Sequence, residues 1–259
     1  MKMKKFISKL LLSLSIMLLV TEFAESKTFV SMSPALTEIM YAIGADSELV
    51  GVSTECNYPA ATKEKTKVGN SYYLNKEVLL KLHPDYVLLA EGAGSASQKF
   101  DNLGAKPLMY KIHSVNSIYN TILALGQLTG KSENAKVVVN NLKSDISSVK
   151  TQNPKKVLYL IQLNPLITIG SKSFISDIIK TSGQKSATDE LNAFYPSVSA
   201  EYLLKLNPDV IIVSIKSDDK LLKNLFPNTK IIYLTMEQND LINRPATRIN
   251  KAVRFFAEL

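Results

Sequence analysis

The sequence predicts an α/β fold of two similar lobes joined by a helix, and three features carry that expectation. A 15-residue stretch occurs twice, as NKEVLLKLHPDYVLL at residues 75–89 and as SAEYLLKLNPDVIIV at residues 199–213. Seven aligned positions are identical: Glu77/Glu201, Leu79/Leu203, Leu80/Leu204, Lys81/Lys205, Leu82/Leu206, Pro84/Pro208 and Asp85/Asp209. Each copy reads as one helix. Asn75 or Ser199 caps it, an acidic residue meets the positive end of its dipole, apolar residues follow at helical spacing, and Pro-Asp stops it. The second feature is the branched apolar run that follows, residues 86–90 and 210–214, which suits a strand covered on both faces. The third is the spacing. The copies start 124 residues apart in a chain of 259, which points to two lobes and not to a solenoid of short repeats.

Residues 1–26 are expected to be a cleaved signal peptide. Lys2, Lys4 and Lys5 precede an apolar run at residues 10–20, and Ala24-Glu25-Ser26 supplies a small-x-small cleavage site. The run is short for a bilayer span and contains Ser13 and Ser15. The one cysteine, Cys56, lies far from the cleavage region, so the mature chain is not expected to be a lipoprotein and has no internal disulfide. A soluble periplasmic protein starting at Lys27 follows, long enough for two lobes with a core each. The formal net charge of +8 comes from lysines spread along the chain without a basic block, so no nucleic-acid partner is expected.

Residues 27–131 are assigned to the first lobe. Residues 28–32 read as a strand, and Ser33-Pro34 opens a helix with Leu36, Ile39, Met40 and Ile43 on one face and Gly44 at its end. Residues 49–52 form a second strand. Residues 53–73 are a long polar connection carrying Asn57-Tyr58-Pro59 and Gly69-Asn70-Ser71-Tyr72-Tyr73, and loops of this length are usually functional. The first repeat follows, then a small-residue loop, a helix, a strand at 107–110 and a helix at 116–130. Residues 132–152 are the connecting segment. No Gly or Pro interrupts residues 132–150, about 28 Å of helix, long enough to bridge two lobes.

The second lobe, residues 153–259, begins with a strand at 157–161 and an irregular apolar stretch at 162–169. A helix at 173–181, a polar loop with Phe194-Tyr195-Pro196, the second repeat, a short helix, a strand at 231–234 and a helix at 246–258 complete it. No G-x-S-x-G elbow, P-loop, dinucleotide glycine fingerprint or HExxH pair is present, which leaves a secreted α/β enzyme as the remote alternative. His83 stands in the LHPD turn where the second copy has Asn207, so a turn or capping role is expected of it. With His113 as the only other histidine, no metal site and no cofactor are expected.

The order SMSPALTEIMYAIG, VGVSTECNYP, VG-x5-NKE-x5-LHPD, a long helix, IGSKSFISDII, YPSVSAE-x5-LNPD and RPATRI resembles the periplasmic binding proteins of ABC importers for vitamin B12, haem and iron-siderophores. The likeness covers essentially the whole mature chain and is nearest to the vitamin B12 branch in VGVSTECNYP and YPSVSAE. It implies two Rossmann-like lobes joined by one long rigid helix, a ligand clamped in the cleft between them, no catalysis, and a monomer that delivers its ligand to the ABC transporter permease of the inner membrane. It also implies that Glu77 and Glu201 dock the lobes onto permease arginines, a charge-assisted contact suited to transient binding.

Ligands of open α/β sheets bind where loops leave the carboxyl ends of the strands. That places Ser33, Pro34, Asn57, Tyr58, Tyr72, Tyr73 and Glu91 of the first lobe in the cleft, with Gln162, Asn164, Phe194, Tyr195, Lys216, Asn239 and Arg244 of the second. A flat macrocycle calls for aromatic walls with a few peripheral polar groups, which Tyr72, Tyr73, Phe194 and Tyr195 would supply. The family likeness implies cobalamin as the transported ligand, with haem or a ferric siderophore as the alternative. Cobalamin binders of this type commonly place tryptophan in the cleft, and here Tyr195 takes one such place. Haem binders place a tyrosine after the Gly of the VG motif, where this chain has Asn70. The chain has three arginines, Arg244, Arg248 and Arg254, few for an anionic catecholate siderophore.

Overall fold

The computed structural model describes residues 27–91, 103–215 and 218–259. The expected leader, most of the loop and helix before residue 106, and Lys216 lie outside the described residues. The first sheet is wholly parallel, in the order β3-β2-β1-β4-β5, built from β1 (Phe29–Ser31), β2 (Leu49–Val52), β3 (Thr66–Lys67), β4 (Tyr86–Ala90) and β5 (Lys106–Tyr110). The second has the order β10-β9-β6-β7, from β6 (Lys156–Leu163), β7 (Leu166–Thr168), β9 (Val210–Val213) and β10 (Lys230–Tyr233). A short β8 (Lys185–Ser186) pairs in parallel with the start of β6, and β7 is the antiparallel member. The helices are α1 (Pro34–Ala42), α2 (Lys76–Leu82), α3 (Val115–Leu128), α4 (Ser132–Ser147), α5 (Phe174–Thr181), α6 (Ala200–Leu206), α7 (Lys220–Leu225), α8 (Met236–Asn243) and α9 (Ile249–Ala257).

The duplicated unit forms α2 with β4 and α6 with β9. Asn75 and Ser199 accept hydrogen bonds from Val78 N and Tyr202 N, at 3.1 and 3.2 Å. His83 and Asn207 end the two helices in the left-handed region, at φ 44° and 43°. The Pro-Asp turn does more than stop the helix. Asp85 accepts the Thr28 amide at 2.7 Å and Asp209 accepts the Lys156 amide at 2.7 Å, so each clamps the start of the strand beside its own. The Thr28 hydroxyl donates to the same Asp85 carboxylate at 3.0 Å, and the amide and hydroxyl bonds from Thr28 hold that carboxyl below its ordinary range.

Strand alternation sorts the core into layers. Val30, Val87 and Leu89 face α2 on the outer side of the first sheet, and Leu158, Leu160, Ile211 and Val213 face α6 and α7 on the outer side of the second. Their neighbours Phe29, Leu88, Val157, Tyr159, Val210 and Ile212 point inward into a single cluster with α1, α3, α4, α5 and α9. Each lobe has its own outer core, and the inner faces of the two share one continuous cluster. α9 joins it by a face of Ile249, Ala252, Val253 and Phe256, all buried.

Three segments differ from their sequence reading. α4 spans 16 residues, ending at Ser147, and does not continue to residue 150. Its last turn holds hydroxyls that bond back to the chain, Ser147 to Ser144 O and Ser148 to Asp145 O, which compete with helical pairing. Residues 162–169 form a hairpin, because β6 runs on to Leu163 and turns at Asn164-Pro165 into β7. Residues 236–239, expected as a loop, begin α8 behind a capping box of Thr235 and Gln238.

Candidate functional site

A helix that links parallel strands runs antiparallel to them, so the carboxyl ends of the parallel strands and the amino ends of α1, α2, α6 and α8 share one edge of each lobe. The loops at that edge meet across the lobes. The 53–59 and 69–74 loops of the first lobe are tied together by Thr54 N to Gly69 O at 2.7 Å and by Ser71 N to Glu55 at 3.1 Å. Asn70 accepts the amides of both Tyr72 and Tyr73, at 2.9 and 2.8 Å, and so shapes the loop that displays them. Tyr72 is 85% exposed, the tip of this loop. Tyr73, Tyr58, Phe194 and Tyr195 are also exposed, each on a loop at a strand end. Large aromatics held in water on both lobes are the surface expected of an apolar ligand cleft.

Two glycines fix these aromatic loops. Gly69 has φ +121°, and a Cβ there would lie 2.1 Å from Tyr73 O. Gly170 donates to Phe194 O at 2.9 Å, and its Cβ would lie 2.3 Å from Ala193 O. Either Gly→Ala change forces backbone to move, at a cost of about 1–3 kcal/mol. Thermal unfolding checks this; a melting temperature within a degree of the parent's would show that the loop reseats without strain.

The polar residues at this edge form two clusters. In one, Glu38 of α1 is almost wholly buried, its side chain 1% exposed, and accepts both Arg248 Nε and Nη2, at 2.9 and 2.7 Å. Arg244 approaches the same carboxylate at 3.5 Å, pairs with Asp240 at 2.9 Å and donates to Asn57 at 2.5 Å. Asn57 also donates to Asp240 at 3.1 Å, and the Arg248 guanidinium stacks 4.1 Å from the centre of the Tyr58 ring. Burial alone would lower the Arg248 pKa, but the Glu38 pair outweighs it and raises the value above the ordinary one. In the second cluster Glu91 bonds His113 Nε2 at 2.7 Å and Lys111 at 3.2 Å, and His113 packs 4.8 Å from Phe194 across the lobes. Those bonds, from His113 first and Lys111 second, hold the Glu91 carboxyl below its ordinary range.

Of the sequence-predicted residues, Asn57, Tyr58 and Arg244 thus meet at one point, and Glu91 and Phe194 meet through His113. Ser33 is buried and caps α1 through Leu36 N at 3.5 Å, with Pro34 beside it as the first helical residue. Asn239 is turned to Ser214 and Asn243, which also receives the Tyr159 hydroxyl at 3.2 Å. Burial pushes the Tyr159 phenol up to about 12. Among the described residues, Gln162 donates its side-chain amide to the Asn164 carbonyl of its own hairpin, at 3.4 Å. Glu77 and Glu201 stand away from these clusters, exposed in the first turns of α2 and α6. Glu38, Asp240, Arg248 and His113 are the participants that sequence reasoning missed. Asp240 and Arg244, four residues apart, carried a readable signal.

The periplasmic binding protein model matches residues 30–253. The chain belongs to the periplasmic binding protein family. A vitamin B12-binding protein of Vibrio vulnificus is 30% identical over 221 residues, covering 82% of this chain and 79% of that protein. The crystal structure of a possible iron-binding periplasmic solute-binding protein from Staphylococcus epidermidis matches with a TM-score of 0.76 and 26% identity, over 90% of this chain and 98% of that one. A haem-binding protein of Vibrio cholerae shares the fold at a TM-score of 0.76 and 21% identity, over 90% of this chain and 98% of that one. Members of this periplasmic binding protein family are substrate-binding parts of ABC importers and not enzymes, so this chain binds a small molecule outside the cytoplasm and has a membrane permease as its partner.

Proposed function

We propose that this periplasmic binding protein captures a corrinoid of the vitamin B12 type and hands it to the permease of its importer. The observation that carries the reading is the charge balance of the cleft. Arg244 and Arg248 are both engaged by Glu38 and Asp240, two guanidiniums against two carboxylates, so the cluster offers no uncommitted positive charge to an anionic siderophore. A large, mostly neutral corrin needs aromatic walls and a few hydrogen bonds, which Tyr58, Tyr72, Tyr73, Phe194, Tyr195 and Asn57 are placed to supply. The 30% identity to a vitamin B12-binding protein supports the same class. The chain is read as a monomer exported by cleavage near Lys27.

Haem is the second reading, favoured by the exposure of Tyr72 and Tyr73 beside Asn70. Titration calorimetry against cyanocobalamin, haemin and a panel of ferric siderophores separates the two. Saturable heat with cyanocobalamin and none with ferric catecholates is expected. Haemin binding with a Soret shift lost in Tyr72→Phe or Tyr73→Phe, and no heat from cyanocobalamin, would replace the corrinoid reading with haem.

A further inference from the structure

The seven positions identical between the two repeats divide into those the fold uses and those it does not. Leu79/Leu203 are buried, Leu82/Leu206 pack beneath them, Pro84/Pro208 are buried in the turn, and Asp85/Asp209 clamp the neighbouring strands. The remaining three pairs, Glu77/Glu201, Leu80/Leu204 and Lys81/Lys205, are all solvent-exposed. They occupy positions i, i+3 and i+4 of their helices and therefore lie on one face, the carboxylate beside the leucine. Lys81 pairs with Glu77 at 2.9 Å. Leu80 is 44% exposed and Leu204 49%, although burying a leucine is favourable and the fold gains nothing from leaving one in water twice. Positions around them have diverged: Lys76 faces Ala200, Val78 faces Tyr202, and His83 faces Asn207.

We infer that Leu80 and Leu204 are paired apolar anchors for the permease, each seated in a pocket next to a cation that receives Glu77 or Glu201. This deepens the importer reading and rests on it. The occupant is committed by the duplication: the same Glu-Leu-Lys face, with its leucine between the two charges, is offered once per lobe, which fits a partner presenting two equivalent sites, each a polar rim beside an apolar recess. An exposed carboxylate alone would give a contact easily screened by salt, whereas an adjoining leucine adds a component that salt does not weaken.

The test is binding of the purified chain, without added ligand, to the importer's permease–ATPase complex in lipid nanodiscs. Leu80→Ala and Leu204→Ala are each expected to weaken binding roughly five- to tenfold, and the double variant by about the product, 25- to 100-fold. Binding by Val137→Ala, a change at a more exposed position on α4, and the melting temperatures of all variants are expected to stay at the parent's values. Leu→Gln at both positions provides a second pair of variants of similar size. Retention of parental affinity by the double variant, or loss at only one position, overturns the paired anchors. Failure of the parent itself to bind would overturn the docking reading beneath them, and is distinguished by that control.

Discussion

Glu38→Ala is expected to cost about 3–5 kcal/mol of stability, the usual result of removing one partner of a buried ion pair. The carboxylate is almost wholly buried and serves two guanidiniums that are themselves largely buried, Arg248 through two hydrogen bonds and Arg244 at 3.5 Å. Without it both positive charges remain in the interface with Asp240 alone to balance them. For a chain of this size the loss corresponds to roughly 6–20 °C in melting temperature. Replacing both partners, Glu38→Met with Arg248→Met, removes the charges together and is expected to be far milder than the single change. Chemical and thermal unfolding of the three variants measures this. A single variant within 1 kcal/mol of the parent, or a double variant worse than the single, would show that the cluster does not hold the lobes.

The same cluster shows where sequence reading stops. The duplicated unit is legible because its caps, its helical spacing and its Pro-Asp stop act within 15 residues. Glu38 is not legible. It lies in SMSPALTEIMYAIG as one polar residue in a helix, and its partners Arg244 and Arg248 stand more than 200 residues away in the chain. His113 is hidden for the same reason, since its neighbours Glu91 and Phe194 come from two lobes. The hairpin at residues 162–169 is lost because a turn at Asn-Pro inside an apolar run has no periodicity of its own. The α8 start carried a usable signal in Thr235 and Gln238, and an aromatic or glycine count would not have revealed it.

The connection between the lobes is consequently broader than a single helix. Inter-domain motion is the default unless the interface is large and apolar, and here α1, α3, α4, α5 and α9 share one continuous core across it. The Asp177 carboxylate of α5 receives the Val115 amide of α3 at 2.7 Å, and Asn250 of α9 donates to Asp145 of α4 at 2.7 Å. These bonds brace the base of the cleft, while the aromatic loops at its rim are held by local turns.

The double change Glu77→Ala with Glu201→Ala is expected to abolish delivery to the permease while leaving ligand affinity within about twofold. Both carboxylates are exposed in the first turn of outer helices, away from the Asn57–Arg244 and Glu91–His113 clusters, so nothing in the cleft depends on them. Glu77 pairs with Lys81 at 2.9 Å, and hydrogen bonding to Ser199 lowers the Glu201 pKa below the ordinary carboxylate range. Truncating one charge-assisted contact at an interface commonly weakens binding by an order of magnitude, and two lobes engaged at once multiply the effect to about 100-fold or more. The salt dependence provides an independent readout, because a parent docked through two carboxylates weakens as ionic strength rises and the double variant loses that slope. Uptake in cells, nanodisc binding across a salt series and calorimetry on the free protein measure the three quantities. Normal docking combined with lost ligand affinity would place these glutamates in the cleft and reverse the assignment.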